Sequence, residues 1–358
     1  MSCAFLEMLF SSFQSCVKMQ GAEVGNTRRQ CNEIWDLDVV SFSKDGHKNT
    51  VLMKMSEPHA LRRRELLKAH PELRQCMGSE YKSKYICFGL VSLQLYLAVV
   101  TQEWNWLQYV GAVYVLGGTL TQAIFLGIHE LSHNLFFRDP RSNHMFAMFC
   151  NLPIVFPYCE SFRFYHLQHH KMQGVTGIDT DLPSAFESRL FRGKLGKCIW
   201  LNFQIIAYAL RPILTKPQPV TRYLLYNVAI QLVFDVTLYA MYGLRPFVFL
   251  LSSLLVAGGL GFHPTSGHFL SEHYLLNDAG TQETFSYYGP WNWLTWNVGY
   301  HVEHHDLPNV PFSRLPRVKC IASEFYDDLH TCKSWTLLPY TFITDDSVTL
   351  RSRVQRSE

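Results

Sequence analysis

The chain is 358 residues long, with 48% hydrophobic, 14% aromatic and 17% charged residues and a formal charge of +3 from 32 basic and 29 acidic side chains. Charge is scarcer than the roughly 25% of an average globular chain, yet a mean hydropathy of −0.01 is too polar for a protein that is nearly all transmembrane helix. Disorder and collagen are excluded, and so small a net charge gives no basic field for nucleic acid. The length alone permits two soluble domains. Ten cysteines without a CxxC pair fit a reduced, cytosol-facing chain. Sixteen histidines, about one residue in 22, point to a histidine-based site.

Residues 1–50 are mixed in composition, with Cys3, Cys16 and Cys31 among polar runs, and carry no assignable function. Glu7, Ser11, Ser12, Gln14 and Ser15 interrupt the mildly apolar start, which has no basic n-region, so a cleaved signal peptide is not expected. Ser2 stands where N-myristoylation would need glycine. Residues 56–75 read as a short basic helix with Ser56 as N-cap and Pro58 in the first turn. Its Arg62, Arg63, Arg64 and Lys68 precede the first apolar run and mark the cytoplasmic side.

Two runs, Tyr85–Thr101 and Leu107–Ile128, have about the length that crosses a ~30 Å hydrocarbon core. Trp104 and Trp106 between them suit a membrane interface. The pair predicts a helical hairpin; neither run keeps the polar stripe of a soluble core helix. Cys198–Leu210 is apolar but stops at Arg211-Pro212, and fits an interfacial helix as well as a crossing. Tyr223–Tyr242 and Phe247–Phe262 predict a second hairpin, in which Asp235 needs a buried partner. The polar, aromatic residues beyond Phe262 form a cap. The expected fold is an all-α membrane protein, with about four transmembrane helices in two hairpins and a helical cap. Its divisions are an unassigned extension at 1–50, a membrane domain at 51–350 and a tail at 351–358.

Eight histidines fall into three clusters: His129 and His133 in HELSH, then His166, His169 and His170, then His301, His304 and His305, the last two each HxxHH. On a helix, positions i, i+3 and i+4 share one face, so each cluster presents its imidazoles together. An even number of spans between His170 and His301 puts the clusters on one side. HELSH also satisfies the HExxH zinc-hydrolase signature, with Glu130 as general base. A zinc hydrolase needs three protein ligands and has no use for two further clusters. So many nitrogens favour a two-metal, oxygen-activating site, and imidazole suits iron, copper or zinc.

The boxes HxxxH, HxxHH and HxxHH, in this order and split by apolar hairpins, resemble those of the integral-membrane fatty-acyl desaturase and hydroxylase superfamily. More narrowly, the chain is similar to the sphingolipid Δ4-desaturases, or dihydroceramide desaturases. The likeness is carried by SEPHALRRRELLKAHPEL at 56–73, CNLPIVFPYCESFRFYHLQHH at 150–170 and GIDTDLPSAFE at 177–187. It continues in GFHPTSGHFLSEHY at 261–274 and SYYGPWNWLTWNVGYHVEHHDLPNVP at 286–311. It covers about residues 50–350. The N-terminal extension is a departure from the family, and no HPGG pattern of a fused cytochrome b5 domain occurs.

The resemblance implies a non-haem di-iron centre on a cytosolic cap, with His129, His133, His166, His169, His170, His301, His304 and His305 as ligands. His273 in the Glu272-His273-Tyr274 triplet is the implied ninth. His268 is either a tenth or an outer neighbour. Ligating imidazoles generally donate their other N–H to a carboxylate or carbonyl, which makes Glu130, Glu303 and Asp306, with Asp179, Asp181 and Glu272, the candidate partners. The remaining histidines read as turn-shaping (His263) or as surface and capping residues (His47, His59, His70, His144, His330).

The implied activity is O2-dependent dehydrogenation of dihydroceramide to ceramide; C4-hydroxylation, alone or alongside, is the alternative, and a membrane zinc protease the reading from another class. The implied setting is the endoplasmic-reticulum membrane, the active site facing the cytosol. No flavin or nicotinamide fingerprint is present, so electrons must be delivered from outside; the resemblance implies cytochrome b5 with its NADH-dependent reductase as their source. Arg62–Arg64, Arg314, Arg317 and Lys319 are basic contacts for such a partner or for anionic lipid. Trp291, Trp293 and Trp296 suit lining or packing, and Asn151 and Tyr165 could meet a lipid headgroup.

Overall fold

The computed structural model describes residues 58–275 and 282–356, and the backbone alone of 39–42 and 51–53. Apart from that backbone, the expectations for residues 1–50, His47 included, and for Ser56 fall outside the described residues. The first helix, α1 (Pro58–Ala69), buries Leu66 against a core that includes Leu73, Val302, Leu307 and Phe312. Each such side chain contributes about 1.5–3 kcal/mol of burial.

Helices α2 (Ser83–Val100) and α3 (Trp106–Ser132) form the first predicted hairpin, each long and apolar enough to cross a membrane. Five residues of α3, Val113–Gly117, are wound as π-helix. The second hairpin is α8 (Arg222–Tyr242) and α9 (Leu244–Ala257). Where α3 passes α9, Gly117 and Gly118 leave no room for a side chain: a Cβ there would stand 2.1 Å from Ser253 Oγ and 2.4 Å from Val256 Cγ1. Small residues of this kind let apolar helices approach within a bilayer. Asp235 of α8 finds the partner it needs in Gln231, whose Nε2 donates at 2.9 Å.

Helix α9 stops five residues before the predicted Phe262. Gly259 explains the stop: its φ is +124°, and a Cβ there would meet the Leu201 carbonyl at 2.4 Å. Leu201 belongs to α7 (Gly193–Thr215), which is also long and apolar enough to span. The cap holds it near both ends, however. Lys197 Nζ donates to the carbonyls of Asp345 and Val348, and Arg211 pairs with Glu187. A crossing helix could not keep both tethers on one side, so α7 lies along the base of the cap. It bends at Phe203 (φ −124°, ψ 15°), and Leu195 and Ile199 before the bend and Ile206 and Leu210 after it are exposed apolar residues suited to an interface.

The cap is built from short elements. Between the hairpins lie α4 (Pro140–Asn151), α5 (Cys159–Lys171) and α6 (Ala185–Leu190). After them come α10 (His268–Ser271), α11 (His301–Asp306), α12 (Leu315–Ile321) and α13 (Leu338–Thr344). Small sheets join β1 (Val39–Phe42), β2 (Val51–Met53) and β5 (Val354–Arg356), and β3 (Ser286–Tyr287) with β4 (Thr331–Cys332). Residues 351–356, set apart in sequence as a tail, are integral to the fold. Arg353 and Arg356 are buried and paired with Asp181 and Glu283, and β5 runs parallel to β2.

Candidate metal centre

Each histidine cluster sits on a helix end. His129 closes α3 and His133 caps it; His166, His169 and His170 occupy the last turns of α5; His301, His304 and His305 make up half of α11. The 3.6-residue period turns each set to one face, and the packing of three helix ends brings the faces together.

Two groups result. In the first, the ligating atoms of His129, His133, His166, His170 and His304 all lie within 4.8 Å of one another. In the second, those of His169, His273 and His305 do so. His301 adjoins the second group, its Nε2 3.1 Å from His273 Nε2. His268 stands outside both groups: Thr265 O lies 3.0 Å from its Nδ1 and Gln122 Nε2 within 3.3 Å of either ring nitrogen.

The contacts between rings test whether this donor set fits metal. His166 Nε2 lies 2.9 Å from His133 Nε2 and 3.0 Å from His170 Nε2, and His170 Nε2 lies 3.1 Å from His304 Nε2. His273 Nε2 likewise meets both His169 and His301 at 3.1 Å. An imidazole nitrogen offers either one N–H or one lone pair. A nitrogen with two such neighbours therefore cannot satisfy both by hydrogen bonding. Lone pairs converging on a cation resolve the conflict. Buried His305 has neither ring nitrogen hydrogen-bonded. Burial, reinforced by the neighbouring rings, holds His301, His304 and His305 well below the ordinary imidazole pKa, so they stay neutral and able to ligate.

The carboxylate that a clustered imidazole meets is Asp179, both oxygens of which lie 3.1 Å from His169 Nδ1. Glu272 approaches His301 Nδ1 at 3.5 Å. The three acids inside or beside the boxes have other hydrogen-bond partners. Glu130 accepts the backbone N–H of Phe312, and Glu303 accepts the hydroxyls of Ser286 and Tyr288. Asp306 pairs with His59 and Arg62. The physical reason is helix phase: a residue next to a box histidine in sequence points away from the face the histidines share.

Other expectations shift as well. His59, read as a surface or capping residue, is 1% exposed and its ring centroid lies 5.0 Å from that of His305. Of the basic contacts, Arg62 is fully buried and Arg63 donates to the carbonyls of His305 and Asp306. Arg314 and Lys319 are paired with Glu80 and Asp327, which leaves Arg64 and Arg317 exposed. Asn151 is used by Gln231 and by the backbone of Phe156, Tyr158 and Cys159; Tyr165 donates to Lys216 O. His144 pairs with Glu160 and His70 with Glu324, while His263 bonds Thr265 at the turn it was expected to shape. Trp296 packs on Phe136 and Trp291 donates to Thr336.

A cavity of about 110 Å³ opens against both groups. His129, His166, His169, His273 and His301 line it together with the apolar side chains of Phe125, Phe162, Ile205 and Phe269. A cavity of ~150 Å³ holds a benzene, so this space takes a few methylenes rather than a whole lipid.

The comparisons agree with this geometry. Residues 104–335 match the family model described as fatty acid desaturase, and residues 53–82 match that of sphingolipid Δ4-desaturase. Among similar proteins is a sphingolipid delta(4)-desaturase-like protein of Arabidopsis thaliana, 45% identical over 300 residues, 84% of this chain and 89% of that protein. A sphingolipid delta(4)-desaturase of Drosophila melanogaster is 42% identical over 304 residues (84% and 94%). A sphingolipid delta(4)-desaturase/C4-monooxygenase of Bos taurus is 43% identical over 304 residues (84% and 92%). Three converging histidine helices over two apolar hairpins, and this extent of identity, place the chain in the sphingolipid Δ4-desaturase family of membrane fatty acid desaturases.

Proposed function

We propose that this chain converts dihydroceramide to ceramide by removing one hydrogen from each of two adjacent sphingoid carbons. The observation that carries this reading is the pair of histidine groups lining one apolar cavity. In this reading His129, His133, His166, His170 and His304 hold one iron ion, and His169, His273, His301 and His305 hold the other. The two irons supply, with O2, the oxidising power that no side chain has.

The chain's own residues do the rest. Asp179 accepts the Nδ1–H of His169, which fixes its tautomer and leaves Nε2 as the ligating atom. Glu283 O does the same for His273 at 3.2 Å. Phe125, Phe162, Ile205 and Phe269 exclude water and align the apolar chain against the histidines. Thr180, Asp181 and Glu272 at the cavity's polar edge face the end of the substrate that carries hydroxyl and amide groups. Electrons come from cytochrome b5 and its NADH-dependent reductase at the cytosolic face, where Arg64 and Arg317 remain exposed. The protein resides in the endoplasmic-reticulum membrane with its cap in the cytosol, and 51–350 is its catalytic domain.

The test is lipid analysis of microsomes expressing the chain and fed labelled dihydroceramide. Labelled ceramide with a 4,5 double bond is the expected product. A 4-hydroxylated product alone would assign the chain to hydroxylation, and no oxidised lipid in NADH and O2 would refute the reading.

A further inference from the structure

The third histidine box is clamped by a helix that begins more than 240 residues earlier in the chain. His59 Nδ1 lies 2.7 Å from Asp306 Oδ1, and Arg62 Nε 3.2 Å from Asp306 Oδ2. Arg63 donates from Nε to Asp306 O at 2.6 Å and from Nη2 to His305 O at 3.2 Å. Both the side chain and the main-chain end of α11 are thus tied to α1. All of His59, Arg62 and Asp306 are buried.

His59 also reaches the other side of the centre. Its Nε2 lies 2.9 Å from Thr284 Oγ1, which accepts from Gln173 Nε2 at 3.0 Å and lies 3.5 Å from His273 Nδ1. With Asp306 an anionic acceptor, the network assigns the proton of His59 to Nδ1, so that Nε2 accepts from the Thr284 hydroxyl. His59 then spans Asp306, next to His305, and Thr284, next to His273. Both histidines belong to the second group. The His59 ring also packs against His305, tilted by 45° with centroids 5.0 Å apart.

We infer that His59 is a positioning residue for the second metal position: through Asp306 and Thr284 it sets the orientation of His305 and His273 while ligating nothing itself. Outer partners of this kind are worth about 10- to 100-fold in metal affinity or activity. The inference rests on the proposed metal centre.

The experiment compares full-length wild type with His59→Ala, His59→Asn, Thr284→Val and, as control on the same helix, the exposed Lys68→Ala, purified from membranes. The first readout is the rate at which iron is lost to an excess of chelator; the second is kcat and KM for labelled dihydroceramide. His59→Ala should lose iron about 10- to 100-fold faster, with kcat lowered and KM within about twofold of wild type. Asn, whose side-chain amide can replace the Nδ1–H donor to Asp306, should recover most of both. Lys68→Ala should match wild type. If His59→Ala fails to fold, Thr284→Val decides, since it keeps shape and removes the hydroxyl that His59, Gln173 and His273 share; faster iron loss is expected. Wild-type rates of iron loss in folded His59→Ala, or in Thr284→Val when His59→Ala does not fold, would overturn the inference. A wild type that holds iron but makes no oxidised ceramide would refute the substrate reading while leaving the iron-loss comparison decisive. A wild type without metal would overturn both.

Discussion

Replacing His304 with alanine should abolish ceramide formation, lowering product by more than about 100-fold, beyond what loss of an outer partner costs. His304 is fully buried, and its Nε2 meets His170 while its ring lies within 5 Å of His129 and His133. Because burial keeps the ring neutral, its lone pair is free for a metal and no salt bridge is lost on substitution. Lipid mass spectrometry gives the activity, and iron per polypeptide gives the cause. Both should fall together while the protein still inserts into membranes. A protease built on HELSH needs His129, His133 and one neighbouring ligand, so it would tolerate His305→Ala, since His305 belongs to the other group, whereas the two-metal centre would not. Product at the wild-type level would remove His304 from the centre.

Arg211→Met should destabilise the fold by about 3–5 kcal/mol, the cost of stranding one member of a buried ion pair. Arg211 is 4% exposed and donates to both oxygens of Glu187, at 2.7 and 2.8 Å, and to the carbonyls of Thr180 and Asp181 at 3.1 Å. It joins α7 to the loop that carries the Asp179 partner of His169, so the loss should also disturb the second histidine group. A double variant, Arg211→Met with Glu187→Met, should recover at least half of the loss, since two packed apolar chains leave no uncompensated charge. Thermal unfolding midpoints in detergent measure both. Equal midpoints for Arg211→Met and wild type would show that α7 does not depend on this tether.

The helical boxes were legible because ligands spaced at i, i+3 and i+4 keep one face of a helix wherever that helix is placed. The two hairpins were legible for a similar reason: the hydrocarbon thickness sets a length that composition reveals. Relations across long stretches of chain were not. His59 and Asp306 are 247 residues apart, and a single histidine in a basic helix carries no local mark of burial. The only signal was the likeness of the SEPHALRRREL stretch itself, which lies within the matched 53–82 segment. Sequence adjacency misled in the opposite direction. Glu130 and Glu303 lie inside the boxes, yet helix phase turns them to Phe312, Ser286 and Tyr288, while Asp179, ten residues after His169, reaches its ring. Arg353 and Arg356 read as a charged tail because nothing nearby in sequence announces Asp181 and Glu283.

The central claim is that converging histidines hold two metal ions of one redox centre, and metal analysis of the purified full-length chain tests it most directly. Two irons per polypeptide are expected, falling to one or fewer when His304 is replaced. One zinc per polypeptide, or no metal in protein that still converts dihydroceramide, would contradict it.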